Sequence, residues 1–297
     1  MFARLTAYLP EGAAAECVLR SPQPGLVGRS PPADLLLAHP SVSRRHAEIV
    51  PGPRGWTLRD LDSRNGSFVD GAPTNSGLLT SSTWLRFGDV HCEFRLLDSA
   101  EATRAGRRTS ERRDLSQMRT QRTEAQQALP DLLRETLAAV IDLAGGERGF
   151  LLLQEPEGLV VRATSGIDAE ALMRPMFGGS VGAIERARVE RRPVVVNDAG
   201  VDVRFSGRES VVAGGLRMLV CVPLLLDDEV LGLVYSDSRR PGSPVTTLDL
   251  ELMRAFAERA ALWIAARRSA SALAALDGPI PWAGIAAAHA GERHVGH

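Results

Sequence analysis

The fold of the N-terminal third can be read from residues 26–71, whose sequence is LVGRSPPADLLLAHPSVSRRHAEIVPGPRGWTLRDLDSRNGSFVDG. Short apolar runs alternate there with Gly, Pro, Ser and Asn, and the pattern extends in both directions. Short strands separated by close turn signals are typical of an all-β sandwich or barrel. We therefore predict an all-β domain over residues 1–98. The strand candidates are residues 17–19, 35–37, 47–50, 56–58, 67–69, 83–87 and 92–96.

Three short polar segments fall between these strand candidates, where loops are expected. They are Gly28-Arg29, Ser43-Arg44-Arg45-His46 and Ser63-Arg64-Asn65-Gly66. Arg29 offers a planar fork of donors, Ser43 a hydroxyl donor and Asn65 an amide that can hold a neighbouring peptide backbone. Arg44 and Arg64 add positive charge at the rim. Because arginine forks are the usual partners of a phosphate group, these loops predict a site for a phosphorylated peptide.

These segments, taken together and in this order, resemble a forkhead-associated (FHA) domain. The resemblance rests on Gly28-Arg29, Ser43-x-x-His46, Asn65-Gly66 and Val69-Asp70-Gly71, and it covers residues 5–97. It implies an eleven-stranded β-sandwich that binds phosphothreonine peptides through loops at one end. By this resemblance Arg29 and Ser43 match phosphate-contacting positions, and Asn65 matches the residue that grips the peptide backbone.

Other positions in the same loops have less direct roles in this resemblance. Arg44 matches a position that often contacts the ligand, whereas Arg64 stands where many members of the family carry Thr. Gly28 and Gly66 are expected to form tight turns, and His46 is expected to be a buried residue that braces the Gly28 loop. The alternative is a domain that serves only as an interaction surface, with no affinity for phosphopeptides.

The composition excludes several other classes of function. The chain has 297 residues, and all 35 of its Lys and Arg residues are Arg. Without Lys there is no Walker-A lysine, no kinase strand lysine and no Schiff-base lysine. The formal net charge of −1 does not suit a broad nucleic-acid-binding surface. The cysteines, Cys17, Cys92 and Cys221, form no CxxC pair, so neither a disulfide framework nor a zinc site is expected.

Apolar runs along the chain are short. The run at residues 219–226 is much shorter than the roughly 20 residues of a membrane span, and the N-terminus lacks the apolar core of a signal peptide. Together with the unpaired cysteines, this predicts a cytoplasmic protein. The sequence also contains no HExxH motif, and no catalytic residues are predicted.

Residues 99–129 are rich in Arg, Gln and Thr and contain few apolar side chains. Such a segment buries little apolar surface, so we predict a linker here, with a helical part from about Arg113. Thr109 and Thr120 each follow an Arg, which makes them candidate sites for a basophilic kinase. The first domain would then bind its own phosphorylated linker or that of a second copy.

A second domain is predicted over residues 130–268. Apolar residues recur at intervals of three and four from Leu129 to Ala144, as in an amphipathic helix. Apolar strand pairs, a short helix near residues 182–192 and a final helix over residues 247–268 follow, and this order predicts an α+β domain with an antiparallel sheet. Residues 269–297 are rich in Ala, Gly and Ser and are predicted to form a flexible tail.

The segments of this second domain resemble a GAF domain. The resemblance is carried by Gly149–Leu153, Gly178–Ile184, Pro193–Ala199, Asp202–Phe205, Met218–Leu226 and Val230–Asp237. It implies a six-stranded antiparallel sheet with flanking helices, which either holds a small molecule on one sheet face or serves in dimerisation. The pocket candidates are Gly179, Arg204, Phe205 and Tyr235. The region has no His, and Cys221 lies in an apolar strand, so no cofactor is expected other than an unidentified small-molecule ligand.

The apolar stripes of the first and last helices of this domain suggest that the helices pair in a homodimer. The residues concerned are Leu129, Leu133, Leu137 and Val140 with Leu252, Phe256, Ala260 and Trp263. The alternative is that these stripes cover the domain's own sheet, as amphipathic helices commonly do.

The sequence therefore predicts a cytoplasmic signal-transduction adaptor rather than an enzyme. Its first domain would bind phosphothreonine on a partner, such as a serine/threonine kinase or its substrate, and its second would sense a small molecule or dimerise. One alternative is an enzyme of the methionine-sulfoxide-reductase type that uses Cys221. Another is an interaction scaffold that binds independently of phosphate. Neither a membrane nor a nucleic acid is expected as a partner.

Overall fold

The structure is a computed structural model that describes residues 1–10, 12–80, 82–107, 128–167, 181–197 and 216–276. Its first region is built entirely from strands, and they form two sheets. The strands are β1 (Phe2–Tyr8), β2 (Ala15–Arg20), β3 (Gly25–Gly28), β4 (Leu35–Leu36), β5 (Ala47–Gly52), β6 (Gly55–Asp60), β7 (Ser67–Val69), β8 (Ala72–Thr74), β9 (Ser76–Leu79), β10 (Ser82–Phe87) and β11 (Val90–Leu97).

One sheet has the strand order β2-β1-β11-β10-β7-β8 and the other has the order β4-β3-β5-β6-β9. Their facing surfaces bury large side chains such as Leu5, Trp56, Leu58, Phe87 and Phe94. The predicted eleven-stranded sandwich is thereby confirmed. Removing this apolar surface from water is the main source of the domain's stability.

Four of these strands are missing from the sequence prediction, and each has a composition that hides it. β1 reads FARLTAY and has small Ala side chains at two of its buried positions. β3 begins and ends with Gly, and β8 contains a Pro, which strands generally avoid. β9 follows β8 after a single residue. These strands form because neighbouring strands supply their hydrogen bonds.

The second region combines helices with one sheet. Residues 99–107 are helical and form α1. The elements after residue 127 are α2 (Leu129–Ala144), β12 (Arg148–Glu155), β13 (Gly158–Ser165), α3 (Val181–Glu190), β14 (Val194–Asn197), β15 (Met218–Leu226), β16 (Glu229–Ser238) and α4 (Thr247–Leu276). The sheet is antiparallel with the order β13-β12-β16-β15-β14, which confirms the α+β fold. The described residues supply five strands, whereas the resemblance implies six.

Two boundaries differ from the sequence prediction. α4 continues to Leu276, so residues 269–276 are helical and not part of a flexible tail, because Ala-rich sequence favours a helix. The start of the predicted linker is also helical, as α1 over residues 99–107. The linker helix predicted from Arg113 lies outside the described residues.

α2 and α4 cover one face of this sheet. Leu133, Leu137 and Val140 of α2 pack with Ala260 of α4 in the same buried cluster as Val220 and other sheet residues. Phe256 is also buried. Most of the stripe that the sequence assigned to a homodimer is therefore used within the chain. The reason is physical, since a sheet face this apolar must be covered before a second copy is available.

The two domains contact each other through the backbone. The Ala14 N–H donates to the Val245 carbonyl oxygen at 2.9 Å, and the Thr247 N–H donates to the Ala14 carbonyl oxygen at 3.0 Å. The side chain of Asn197 holds Val245 from the other side, with hydrogen bonds of 2.8 and 3.0 Å to its N–H and carbonyl oxygen. Ala14 and Val245 are buried, so this backbone bridge is shielded from water.

Among the described residues, none of the helices is both long and apolar enough to cross a bilayer.

Candidate functional site

Three loops at one end of the sandwich, which carry the residues predicted to bind phosphate, meet at Ser43. The Arg29 N–H, in the β3–β4 loop, donates to the Ser43 carbonyl oxygen at 3.0 Å. The Arg64 N–H, in the β6–β7 loop, donates to Ser43 Oγ at 3.1 Å. Arg44 follows Ser43 directly in the β4–β5 loop. Side chains that are far apart in the sequence are thus attached at neighbouring points of the folded backbone.

The hydroxyl of Ser43 is set up to donate outward. Its oxygen already accepts the backbone N–H of Arg64, so one lone pair is used and the hydroxyl hydrogen can be given to a ligand. Ser43 is half-buried, which leaves its hydroxyl within reach of a group that approaches from solvent. A hydroxyl fixed in this way by the backbone is a preformed donor for an anion.

Within the described residues, the guanidinium groups on the loops that meet at Ser43 have no acidic partner. Arg29, Arg44 and Arg64 are all exposed. In the part of the chain that the structure describes, no carboxylate lies within 4.0 Å of any of their side-chain nitrogens. The next arginine along, Arg45, differs because it pairs with Glu48 at 3.6 Å. Three arginines that pair with no carboxylate among the described residues thus lie on loops that also offer the Ser43 hydroxyl as a donor. This combination makes this end of the sandwich suited to bind an anion.

Gly28 and Gly66 are required by the geometry of the loops. A Cβ added at Gly28 would lie 2.2 Å from the Arg44 carbonyl oxygen, so only glycine lets the β3 end approach the β4–β5 loop this closely. Gly66 has φ +75°, a left-handed conformation that other residues adopt only with strain. Both glycines therefore set the positions of the loops and do not supply ligand-binding groups.

His46 lies beneath the loops and joins two of them. It is fully buried, its Nδ1 accepts the Ser43 N–H at 3.1 Å, and its Nε2 lies 3.2 Å from the Gly66 carbonyl oxygen. Because Nδ1 accepts, the ring proton belongs on Nε2 and is donated to Gly66. Burial lowers the pKa of His46, which keeps the ring neutral at pH 7 and suits this arrangement.

Asp60 at the end of β6 is a supporting residue that the sequence prediction missed. Its carboxylate accepts the N–H and the hydroxyl of Ser63, at 2.8 and 2.7 Å, and the hydroxyl of Ser67 at 2.5 Å. Burial alone would raise the pKa of Asp60, but the hydrogen bonds from Ser67 and Ser63 outweigh burial and hold that pKa below its usual range. The charged Asp60 therefore pins both ends of the loop that carries Arg64 and Asn65. A buried acid followed at short intervals by serines is a signal that a sequence reading could have used.

Asn65 is exposed at the rim, and its amide already has one partner in the protein. Asn65 Nδ2 donates to the Ser41 carbonyl oxygen at 2.8 Å, which ties the β6–β7 loop to the β4–β5 loop. Ser41 Oγ in turn accepts the Asp89 N–H at 2.9 Å and lies 2.7 Å from His39 Nδ1. Ser41 was not singled out from the sequence, because its role depends on contacts with distant loops.

The predicted pocket of the second domain is only partly described. Gly179, Arg204 and Phe205, like the candidate phosphosites Thr109 and Thr120, lie outside the described residues. Tyr235 is described and is fully buried, stacked on Phe150 with ring centroids 4.8 Å apart. Tyr235 is thus packed within the described structure, and its predicted role in a ligand pocket stays a prediction.

The hydroxyl of Tyr235 is used within the protein. It donates to Asp237 at 2.8 Å, and that buried carboxylate also accepts two hydrogen bonds from Arg148, at 2.6 and 3.1 Å. The sequence pattern identifies the strand, but which face of the sheet is covered depends on how the chain folds over it. Here the face is packed, and its polar groups are bonded to each other.

Two cavities, of about 350 and 810 Å³, lie between the domains beside the backbone bridge. Tyr8 lines both of them, and neither is lined by Tyr235. Burial raises the pKa of Tyr8 to about 12, so its hydroxyl keeps its proton at neutral pH. Among the described residues, no three His, Cys, Asp or Glu side chains are grouped so as to hold a metal ion.

Comparison with known proteins assigns each of the two domains to a family. The FHA domain family matches residues 25–98, and the GAF domain family matches residues 128–264. The oxoglutarate dehydrogenase inhibitor of Corynebacterium jeikeium is 34% identical over 96 residues, which are 29% of this chain and 67% of that protein. The ABC transporter ATP-binding/permease protein Rv1747 of Mycobacterium tuberculosis is 34% identical over 91 residues, but the chain spans only 9% of its length.

Among solved structures, one described as "Structural and functional analysis of phosphothreonine-dependent FHA domain interactions" is 28% identical. It covers 33% of this chain and 99% of its own, with a TM-score of 0.31.

The sandwich and its connecting loops thus define a domain of the FHA class. The chain belongs to the FHA family and carries its FHA domain ahead of a GAF domain.

Proposed function

We propose that this protein is a signal-transduction adaptor whose FHA domain binds phosphothreonine on a partner protein. The observation that carries the proposal is the donor set around Ser43. The Ser43 hydroxyl is held by the Arg64 backbone, and the exposed guanidiniums of Arg29, Arg44 and Arg64 lack acidic partners among the described residues. A phosphorylated side chain brings about −1.5 to −2 charges and three acceptor oxygens, which can accept hydrogen bonds from these donors.

The partner chemistry follows from the loops. Asn65 lies at the rim with its amide fixed by the Ser41 carbonyl, so its free oxygen can accept an N–H from the backbone of a bound peptide. This supports a phosphopeptide over free phosphate. A serine/threonine kinase or its substrate is the class of partner that would carry such a group. A cytoplasmic location, where such kinases act, belongs to the same proposal.

The GAF domain is proposed to act by binding a small molecule or by dimerisation, not by catalysis. The methionine-sulfoxide-reductase alternative would need an activated thiolate. Cys221 is fully buried, and burial raises the pKa of its thiol far above neutral pH. The other cysteines, Cys17 and Cys92, lie in the first domain. These features favour Cys221 as a core residue.

Binding of a degenerate phosphothreonine peptide library, with the matched unphosphorylated library, tests the proposal. The proteins compared are the wild type, Arg29→Ala and the control Arg54→Ala. Arg54 is an exposed arginine on the β5–β6 turn, at the far end of the sandwich. We expect binding that requires phosphate, is lost in Arg29→Ala and is retained in Arg54→Ala. Equal binding of both libraries, or no effect of Arg29→Ala, would leave only an interaction scaffold.

The linker threonines extend the same proposal to this chain itself. Phosphorylated Thr109 or Thr120 would present the required group to the FHA domain of the same or a second copy. A mass spectrum of the protein from its cells that shows no phosphate on residues 99–129 would remove this part of the proposal.

A further inference from the structure

Arg64 carries one of three exposed guanidiniums on the loops that meet at Ser43. The backbone N–H groups of Arg29 and Arg64 both bond to Ser43, one to its carbonyl oxygen and one to its hydroxyl oxygen. The two side chains are therefore attached to backbone positions that are both bonded to the same serine. Arg44, the neighbour of Ser43 in sequence, supplies a third.

The positive charge of these donors exceeds the negative charge of one phosphate, because three guanidiniums face about −1.5 to −2 charges on a phosphorylated side chain. Each guanidinium offers five N–H donors, and one Arg fork can engage two phosphate oxygens at once. With Ser43 and Arg29 on the phosphate, all three terminal oxygens have a partner. The donors of Arg44 and Arg64 then remain for a second acceptor group close to the first.

Among the described residues, the acidic side chains near the loops do not pair with these guanidiniums. Asp60 is bonded to Ser63 and Ser67, as described above. Asp62 and Asp89 are exposed residues of the same end of the sandwich, yet neither carboxylate lies within 4.0 Å of the guanidinium of Arg29, Arg44 or Arg64. Within the described residues, the charge of Arg64 is left for a ligand.

We infer that Arg64, with Arg44 beside it, is a specificity determinant that selects ligands with a second anionic group next to the phosphothreonine. The shared chemistry is a carboxylate or a second phosphate, supplied by an acidic side chain or by a neighbouring phosphorylated residue. The inference rests on the proposed function, because it concerns the same site and a bound phosphopeptide.

Affinities for three sets of synthetic peptides test it. All contain one phosphothreonine, and the flanking positions carry Gln, Glu or a second phosphothreonine. The full-length wild type is compared with Arg64→Thr and with the control Arg54→Thr, which removes an exposed arginine from the opposite end of the sandwich. The readout is the ratio of affinities between anionic and Gln-flanked peptides.

We expect the wild type and Arg54→Thr to prefer an anionic flank by about 1.5-fold to fivefold, the range of exposed charge pairs. Arg64→Thr should reduce that ratio to about one. The Glu and phosphate arms show which source of negative charge is favoured. Because Arg64 is exposed, its replacement should leave thermal unfolding unchanged, which is checked on the same samples.

A wild type without preference for an anionic flank would overturn the inference, and so would a preference that survives in Arg64→Thr. Either result would leave phosphothreonine binding intact if Arg29→Ala still abolishes it. If no peptide binds in a phosphate-dependent way, the proposed function fails and this inference fails with it.

Discussion

The loop end of the FHA sandwich and the face of the GAF sheet that carries Tyr235 use polar side chains in opposite ways. At the loop end, Asp60 and His46 are buried and bonded to the loops, while Arg29 and Arg64 remain exposed and unpaired among the described residues. On the GAF sheet face, Tyr235, Asp237 and Arg148 are bonded to one another beneath apolar packing. A binding site is marked by donors that the fold positions and does not use, and the first region has this property.

The largest effect on stability is expected from a substitution of Gly28, at the loop end of the FHA sandwich. In Gly28→Ala the new Cβ would meet the Arg44 carbonyl oxygen at 2.2 Å, so the β4–β5 loop must move. We expect a loss of about 2–3 kcal/mol in the free energy of unfolding and loss of phosphopeptide binding. Gly182→Ala on α3 is the control, because a Cβ there meets nothing within 4 Å. Urea unfolding of both variants measures the difference, and equal stabilities would refute the close approach at Gly28.

A smaller effect is expected from the buried carboxylate under the loops. The carboxylate of Asp60 accepts three hydrogen bonds. Asp60→Asn replaces one of its two acceptor oxygens by an NH2 group, which can only donate. We expect a destabilisation of about 1–3 kcal/mol, with weaker phosphopeptide binding because the Arg64 loop is released. Asp62→Asn, at an exposed position two residues further, should change stability by less than about 0.5 kcal/mol. Matching unfolding curves for the two variants would show that Asp60 does not anchor the loop.

The bridge between the two regions has its own anchor in Asn197. Asn197→Ala removes both hydrogen bonds to Val245, whose carbonyl also accepts the Ala14 N–H. We expect a loss of about 1–2 kcal/mol in local stability, seen as faster hydrogen exchange at residues 13–15 and 245–247. Gln154→Ala is the control, since among the described residues the side-chain amide of Gln154 bonds to the adjacent Glu155 carbonyl oxygen and to no other group. Unchanged exchange at residues 13–15 would mean that Asn197 does not support the bridge.

The smallest effect is a pH dependence of the FHA domain. Burial lowers the folded-state pKa of His46 below its ordinary value near 6.5, so the unfolded chain takes up a proton first as pH falls. The contribution of the neutral ring is therefore complete above pH 6.5 and declines as pH drops below that value towards the lower folded pKa. Unfolding measured between pH 8 and 5.5 should show a shallower decline in His46→Gln than in the wild type. Parallel profiles would contradict a buried, neutral His46.

Much of the proposed binding site is predictable from sequence because the residues proposed to face the ligand occur in short motifs. Gly28-Arg29, Ser43 and Asn65 are recognisable in this way, and the structure brings their loops together. Asp60 and Ser41 were missed because their roles arise from contacts between loops that are distant in sequence. The homodimer stripe could not be assigned from its pattern alone for a related reason. An apolar or aromatic pattern shows that a face is covered, but it does not say by what.

The central claim is that the donors around Ser43 recognise a phosphate, and calorimetric titration with one selected peptide tests it most directly. The peptide is titrated in its phosphothreonine and threonine forms into the wild type and Ser43→Ala. We predict binding of the phosphorylated form alone, weakened by at least about tenfold in Ser43→Ala, as expected for loss of a hydrogen bond to a charged group. Equal affinity for the two peptide forms, or full phosphopeptide affinity in Ser43→Ala, would contradict the claim.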